Sequence, residues 1–222
     1  MRSIILLILL SIAYPVIAHD IEEKDDRVCA PFRGGVVDPA IVDSMLQAAK
    51  EGNLYRIQEK SSRVGFCVDS SIGRFEAEFK GIQGGLALRR KVWGDESQML
   101  VMVDTNSLEM EEDFVKHMLK SESFLDTVTY SKILFVSTGL TWLDQEKAIL
   151  KGMLTMHGVT KPVSFDVKLT MVDSKNQQHV ADIVVTASSF IKRTEFDMDH
   201  LTFLVSDTVE LCMRVEASLF KK

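Results

Sequence analysis

The side chains of this 222-residue chain that could act as bases, nucleophiles or ligands are few and scattered. His157 stands in "TMHGVTKPVSFDVKL" (155–169), where His157-Gly158-Val159-Thr160-Lys161-Pro162 interrupts two strand-like runs. A catalytic or metal-binding imidazole there would need a carboxylate, a thiolate or a second imidazole held beside it. No paired motif supplies one, and His19, His117, His179 and His200 fall on different candidate elements. A strand-end ring bonded to nearby backbone accounts for the same residues. Gly158 permits φ > 0, and Pro162 fixes φ and gives up a donor, as expected at a strand edge. The acidic run Glu109-Glu111-Glu112-Asp113 could bind a cation, but charge runs on a helix are usually solvated faces. Ser206-Asp207 and Ser70-Ser71 lack a nucleophile-elbow context such as GxSxG. Cys29, Cys67 and Cys212 form no CxxC or Cys/His group, so neither zinc nor any other metal is expected, and no catalytic residue is assigned.

The elements around these residues are mostly strands. "RVGFCVDS" sets Val64, Phe66 and Val68 against Arg63, Gly65, Cys67 and Asp69. "GRFEAEFKG" sets Phe75, Ala77 and Phe79 against polar neighbours, and "VELCMRVEASL" does the same with Val209, Leu211, Met213, Val215, Ala217 and Leu219. Period-two patterning with one wet face predicts antiparallel strands. Runs at 98–104, 130–140, 146–157 and 178–188 are strand-like with a less clean alternation. About eight strands with few prolines predict a mainly β fold, a closed up-and-down barrel. Two helices accompany it. "DPAIVDSMLQAAKEGN" has Asp38 as N-cap, Pro39 in the first turn, an apolar stripe and a Gly52-Asn53 stop. "NSLEMEEDFVKHMLKS" has a capping-box-like Asn106 and Glu109, and Met110, Phe114, Met118 and Leu119 on one face. The second helix, read as 107–121, is expected across a barrel end, with Phe114 and Met118 as lid candidates. The helix at 39–51 is a second candidate cover.

Met1-Arg2 leads into an apolar run ending Val16-Ile17-Ala18, the pattern of a secretory signal peptide cleaved after Ala18. The run is short of the roughly 20 residues a spanning helix needs. The chain is therefore divided into a signal peptide (1–18), an extension with one amphipathic helix (19–53) and a barrel (54–222), and is expected to be periplasmic or secreted with no stable membrane insertion. Losing Arg2 leaves 25 bases (26 − 1) against 32 acids, a net charge of −7. That balance argues against nucleic acid, which demands a basic face.

Three ordered segments resemble the YceI family of exported lipocalin-like proteins. "TMHGVTKPVSFDV" is similar to its strand–turn–strand signature. "HMLKSESFLDTVTYSKILFVSTGL" (117–140) is similar to its helix end, Ser-x-x-Phe-x-Asp, Tyr and a strand ending Ser-Thr. "IKRTEFDMDHLTFLVSDTVELCMRVEASL" resembles its closing segment, with Arg193, Phe196 and Ser206-Asp207 in order. The family's Phe-Gly pair stands here as Phe196-Asp197, and residues 19–53 lie outside the common domain. The resemblance spans roughly 54–220 and implies an eight-stranded antiparallel lipocalin-like barrel around an apolar tunnel. Such a tunnel would hold a polyisoprenoid chain or a quinone-like lipid, with no other cofactor.

The residues agree with such an object. A barrel of this size either fills with side chains or holds one slim ligand. Apolar burial at ~25 cal/mol per Å² could hold a lipid tail without a hydrogen bond. Candidate lining residues are Phe66, Phe75, Phe79, Phe135, Leu154, Met156, Phe165, Val167, Leu211 and Met213. Alternation alone fits a packed core equally, leaving a filled exported scaffold or stress-response module as the alternative. An enzyme acting on a lipid head group, with His157 or Asp207 as base, is the weakest reading. Arg193 could bond a loop carbonyl or meet a head group. Closure removes sheet edges, so a homodimer would have to be built on helices or loops. In an oxidising compartment the three cysteines allow three pairings. Cys29–Cys67 is favoured, since its loop of about 38 residues would hold the first helix on the barrel for about 3–4 kcal/mol.

Overall fold

Alternating sequences that must hide one face become the staves of a closed wall. A computed structural model of the chain describes residues 37–89, 96–172 and 182–221. The signal-like run, Cys29, His19, His179 and the beginning of the strand read at 178–188 lie outside the described residues. In chain order the elements are α1 (Pro39–Lys50), β1 (Leu54–Ile57), β2 (Arg63–Ser70), β3 (Gly73–Phe79), β4 (Ile82–Ala87), β5 (Gln98–Asp104) and β6 (Leu108–Glu109). Then come α2 (Asp113–Lys120), β7 (Lys132–Trp142), β8 (Lys147–Met156), β9 (Val159–Met171), β10 (Ile183–Lys192) and β11 (Val205–Leu219).

All the pairings are antiparallel. β11 is long enough to take β2 along its first part (Val209–Arg214 with Val68–Arg63) and β1 along its end (Ala217–Leu219 with Ile57–Tyr55). β4 pairs with β1 and β3 with β2, while β5 pairs with β4 and β6 with β3. These six short strands fill three wall positions, and β7 to β11 fill five, closing an eight-stranded antiparallel barrel.

α1 lies on the outside of that wall. Asp38 caps it by accepting from the Ala40 N–H at 2.9 Å. Met45 and Ala48 are buried against Leu54, Ala87, Leu100 and Met102. Arg89 ties it down, donating to the Ser44 hydroxyl and carbonyl and pairing with Glu51 at 3.0 Å. The expectation that 39–51 covers a barrel end is therefore corrected: the stripe that looked like a lid face is taken up by the outward side of β5. Strand β5 is buried on both faces as a result, which is why 98–104 shows no clean alternation.

The second helix is shorter than the sequence suggests. Asn106 caps nothing. Instead its N–H bonds to the Asp104 carboxylate, Thr105–Ser107 forms a 3-10 turn, Leu108–Glu109 joins the wall as β6, and helix begins only at Asp113. Local side-chain capture of the backbone outcompetes the capping box.

The six-residue break at His157 is also shorter. β8 and β9 pair from Met156 opposite Val159, leaving only His157 (φ 50°) and Gly158 (φ 75°) as a hairpin turn. Positive φ at both positions suits a type I′ turn. Pro162 lies inside β9, opposite Met153. Its missing donor is tolerated because β10 pairs with β9 only over Asp166–Met171, leaving that side of the strand without a ladder partner.

Candidate functional site

Inside the barrel the two halves differ. Toward the end holding the 143–146 turn, Ile57, Leu86, Leu150, Val167, Val185 and Val215 are buried together. Toward the other end lies a partly open apolar cavity of about 110 Å³. Phe135 and Phe165 meet edge-on across it at 5.2 Å between ring centres. The Phe135 ring rests over Gly152, where a Cβ would come within 2.4 Å of it, so that glycine sets how deep the ring can sit.

Of the residues expected to line a cavity, Phe66, Phe79, Phe135, Leu154, Met156, Phe165, Leu211 and Met213 border this one. Phe75 packs half-buried against the core without reaching it, and Val167 lies in the filled half. The lid residues require correction. Phe114 is exposed, and Met118 neither lines the cavity nor packs on the core. A residue one step along a helix turns by about 100°, and it is Leu119 that faces inward. Phe124 and Leu125, in the stretch after α2, complete the cover on that side. Val101, Val103 and Met198 also line the space. The β5 pair was obscured by the outward Leu100 and Met102, and Phe124-Leu125 was visible only as an apolar pair between turn-forming residues.

Among the described residues Arg193 is the only charged one in the lining. It is 3% exposed, on a 3-10 turn (Arg193–Phe196) after β10. Its guanidinium donates to the carbonyls of Ser206 (3.0 Å), Met198 (2.5 Å), His200 (2.7 Å) and Val205 (3.0 Å). Burial lowers its pKa, and the Asp207 and Asp199 charges oppose that. The loop carbonyls thus take up its donors, and the loop from β10 to β11 is drawn over the cavity as a second cover. Asp207 is partly desolvated, which pushes its carboxyl up. Hydrogen bonds from Thr194 and the Arg193 charge more than reverse this, holding it below the usual range. Asp197 closes the 3-10 turn at φ 59°, ψ 24°, a left-handed conformation in the place of a glycine.

His157 is a peg in this cover. Its Nδ1 is 3.1 Å from the Phe196 carbonyl, and its ring meets Tyr130 edge-on at 4.9 Å. Phe196 itself is fully buried. Among the described residues no three His, Cys, Asp or Glu side chains converge as metal ligands. In the acidic run, Glu109 pairs with Lys116 at 2.6 Å, which lowers its carboxyl pKa. On the outer wall Cys67 and Cys212 border a charged groove with Arg74 and Glu78, both as free thiols. Burial and the Glu210 carboxylate push the Cys212 thiol up. The pairing Cys29–Cys67 involves a residue outside the described ones.

A mainly β chain with a closed antiparallel barrel, one packed end, and an apolar cavity under loops at the other defines the lipocalin-like class. A family model described as "YceI-like domain" matches residues 55–217, and the chain belongs to that family. Protein YceI of Escherichia coli O157:H7 is 42% identical over 67 residues, covering 30% of this chain and 32% of that protein. A UPF0312 protein of Vibrio parahaemolyticus is 32% identical over 91 residues, 41% and 48% of the two chains. The chain thus spans about half the length, or less, of these curated relatives. Among solved structures, Burkholderia cenocepacia BcnA superposes with a TM-score of 0.62 at 18% identity, over 72% of this chain and 98% of that one. A polyisoprenoid binding domain from Saccharophagus degradans superposes with a TM-score of 0.54 at 15% identity, over 75% and 98%. At these identities the likeness is one of fold. Among the described residues no helix is long and apolar enough to cross a membrane.

Proposed function

We propose that the protein is exported and binds a polyisoprenoid or similar long-chain apolar lipid in the barrel, for carriage or storage, without catalysing a reaction. One observation carries this reading: a cavity lined by apolar side chains, whose single charged member among the described residues, Arg193, is engaged by backbone carbonyls. Such a lining offers contact area and no directional chemistry, which suits a tail recognised by length and girth. The polyisoprenoid-binding neighbour supports it at the level of fold. His157 and Asp207, the two bases an enzyme could use, are committed to Phe196 and Thr194. Native mass spectrometry of the purified protein, followed by organic extraction, tests the reading. A long-chain lipid should be recovered. None from several expression hosts would sink it. Export is tested separately, by sequencing the N-terminus of the mature protein, which should begin just after Ala18.

A second reading, a filled scaffold, is favoured by the cavity's size, since about 110 Å³ is below the roughly 300 Å³ at which ligand pockets begin. Val68→Phe with Val209→Phe separates the two, as both residues border the space. In a carrier the added rings occupy the ligand's place, so lipid is lost while stability is kept. In a scaffold they overpack the core and cost about 1–3 kcal/mol.

A further inference from the structure

The segments that cover the cavity carry a second set of apolar side chains on their outer side. Ile72 lies in the turn between β2 and β3, Phe114 on α2, Val128 in the stretch before β7, and Phe203 with Leu204 in the loop before β11. These five are 43% to 92% exposed, and they are five of the eight large apolar residues exposed among the described residues. The Ile72 turn and the Phe203–Leu204 loop lie at one end of the barrel, and the segment that carries Phe114 and Val128 runs over the same end through Leu119, Phe124 and Leu125. The Ser71 N–H donates to the Leu204 carbonyl at 2.9 Å, joining the Ile72 turn to the last loop. The Phe124 and His200 rings meet edge-on at 6.4 Å, joining that loop to the stretch after α2. From the same segments Leu119, Phe124, Met198 and Val205 face the cavity. The cover is thus apolar on both sides, and burial in the folded chain explains only the inner one.

We propose that this capped end docks on the surface of a lipid bilayer whose head groups carry no net charge. The purpose of this docking rests on the lipid cargo proposed above, but the docking itself stands or falls separately. Single apolar side chains on separate loop tips, rather than one flat patch, suit insertion between head groups, where each tip enters independently. Exposed Glu111, Glu112, Asp113 and Glu122 flank the tips on the α2 side, and an anionic surface would repel them. Insertion would set the Phe124–His200 seam, and the cavity behind it, at the depth where lipid tails begin.

Sedimentation of the purified mature protein with phosphatidylcholine vesicles tests this. The wild type should pellet with the vesicles. Phe114→Ser and Phe203→Ser should each lower the partition coefficient about tenfold, given ~1.5 kcal/mol or more per buried aromatic. Leu143→Ser and Met171→Ser, exposed away from the cap, should leave it unchanged. Adding phosphatidylglycerol should weaken binding at low salt. Wild-type protein left in the supernatant, equal loss in all four variants, or tighter binding to phosphatidylglycerol vesicles would each overturn the proposal. Organic extraction run in parallel keeps the two readings apart. Protein that yields lipid but ignores vesicles overturns the docking and leaves the carrier. Protein that pellets through Phe114 and Phe203 but yields no lipid leaves the docking and overturns the carrier.

Discussion

Arg193 places a permanent cation in an apolar wall and satisfies it with backbone alone. Four carbonyls between Met198 and Ser206 converge on it, so removing the fork strands buried acceptors, each costly to leave unpaired. Arg193→Met should therefore destabilise the fold by about 3 kcal/mol in a urea titration. Arg193→Lys should recover only part of this, since an ammonium cannot reproduce the planar fork. The sequence left this residue between two roles, and only the folded path of the β10–β11 loop decides between them. Asp207, its electrostatic neighbour, gives a pH signature. Its folded-state pKa is depressed, so the unfolded chain takes up the proton first as pH falls. The stabilisation is full above the ordinary carboxylate pKa of about 3.9. It is lost as pH drops through the lower folded value. Asp207→Asn should flatten the acid limb of a stability–pH curve without shifting its neutral plateau relative to other acid variants of equal cost.

At the scale of elements, α1 is the part whose role the sequence misplaced, and the reason is physical. A stripe of Ile41, Val42, Met45, Leu46 and Ala49 announces that something must cover it but not which surface will. The answer lay in β5, where Leu100 and Met102 break the alternation because they too need covering. Two ambiguous patterns explain each other once brought together. Strands with a plain wet face, such as β2 at 63–70, were legible from period two alone, as was the barrel they build. Pro162 and the Asn106–Glu109 pair misled because local rules were weighed without neighbours: one sits beside an unpaired stretch of strand, the other loses its backbone N–H to Asp104. The cavity wall was legible wherever strands alternate. The cover was not, since turns give no period. Met45 is fully buried between α1 and the wall, so Met45→Ala should cost about 2–3 kcal/mol. Because that contact lies outside the barrel, lipid recovered per folded protein should be unchanged. A loss of lipid in this variant would mean that α1 shapes the interior after all.

The molecule as a whole is divided along its axis into a packed floor and a yielding mouth. The floor residues Val185 and Val215 are essentially without exposure and do not line the cavity. Removing two methyl groups there leaves a new void that close-packed strands on every side cannot close. Val209 is a residue of the same type on the same strand as Val215, but it already borders the cavity, so its truncation enlarges an existing space instead of creating one. The cost of a large-to-small change depends on how the site can relax. Val215→Ala should thus cost about 2–3 kcal/mol, and Val209→Ala about 1 kcal/mol. Bound lipid makes the contrast sharper. A ligand that binds only the folded protein stabilises it by mass action, and it touches Val209 but not Val215. Thermal melts of lipid-free and lipid-loaded protein should show the Val215 penalty unchanged by loading. The Val209 penalty should change with it, growing if the lipid packs against that methyl pair and shrinking if the lipid fills the room the truncation leaves. Equal penalties for the two valines, identical with and without lipid, would mean that the barrel is one continuous core and that its mouth has no room reserved for a guest.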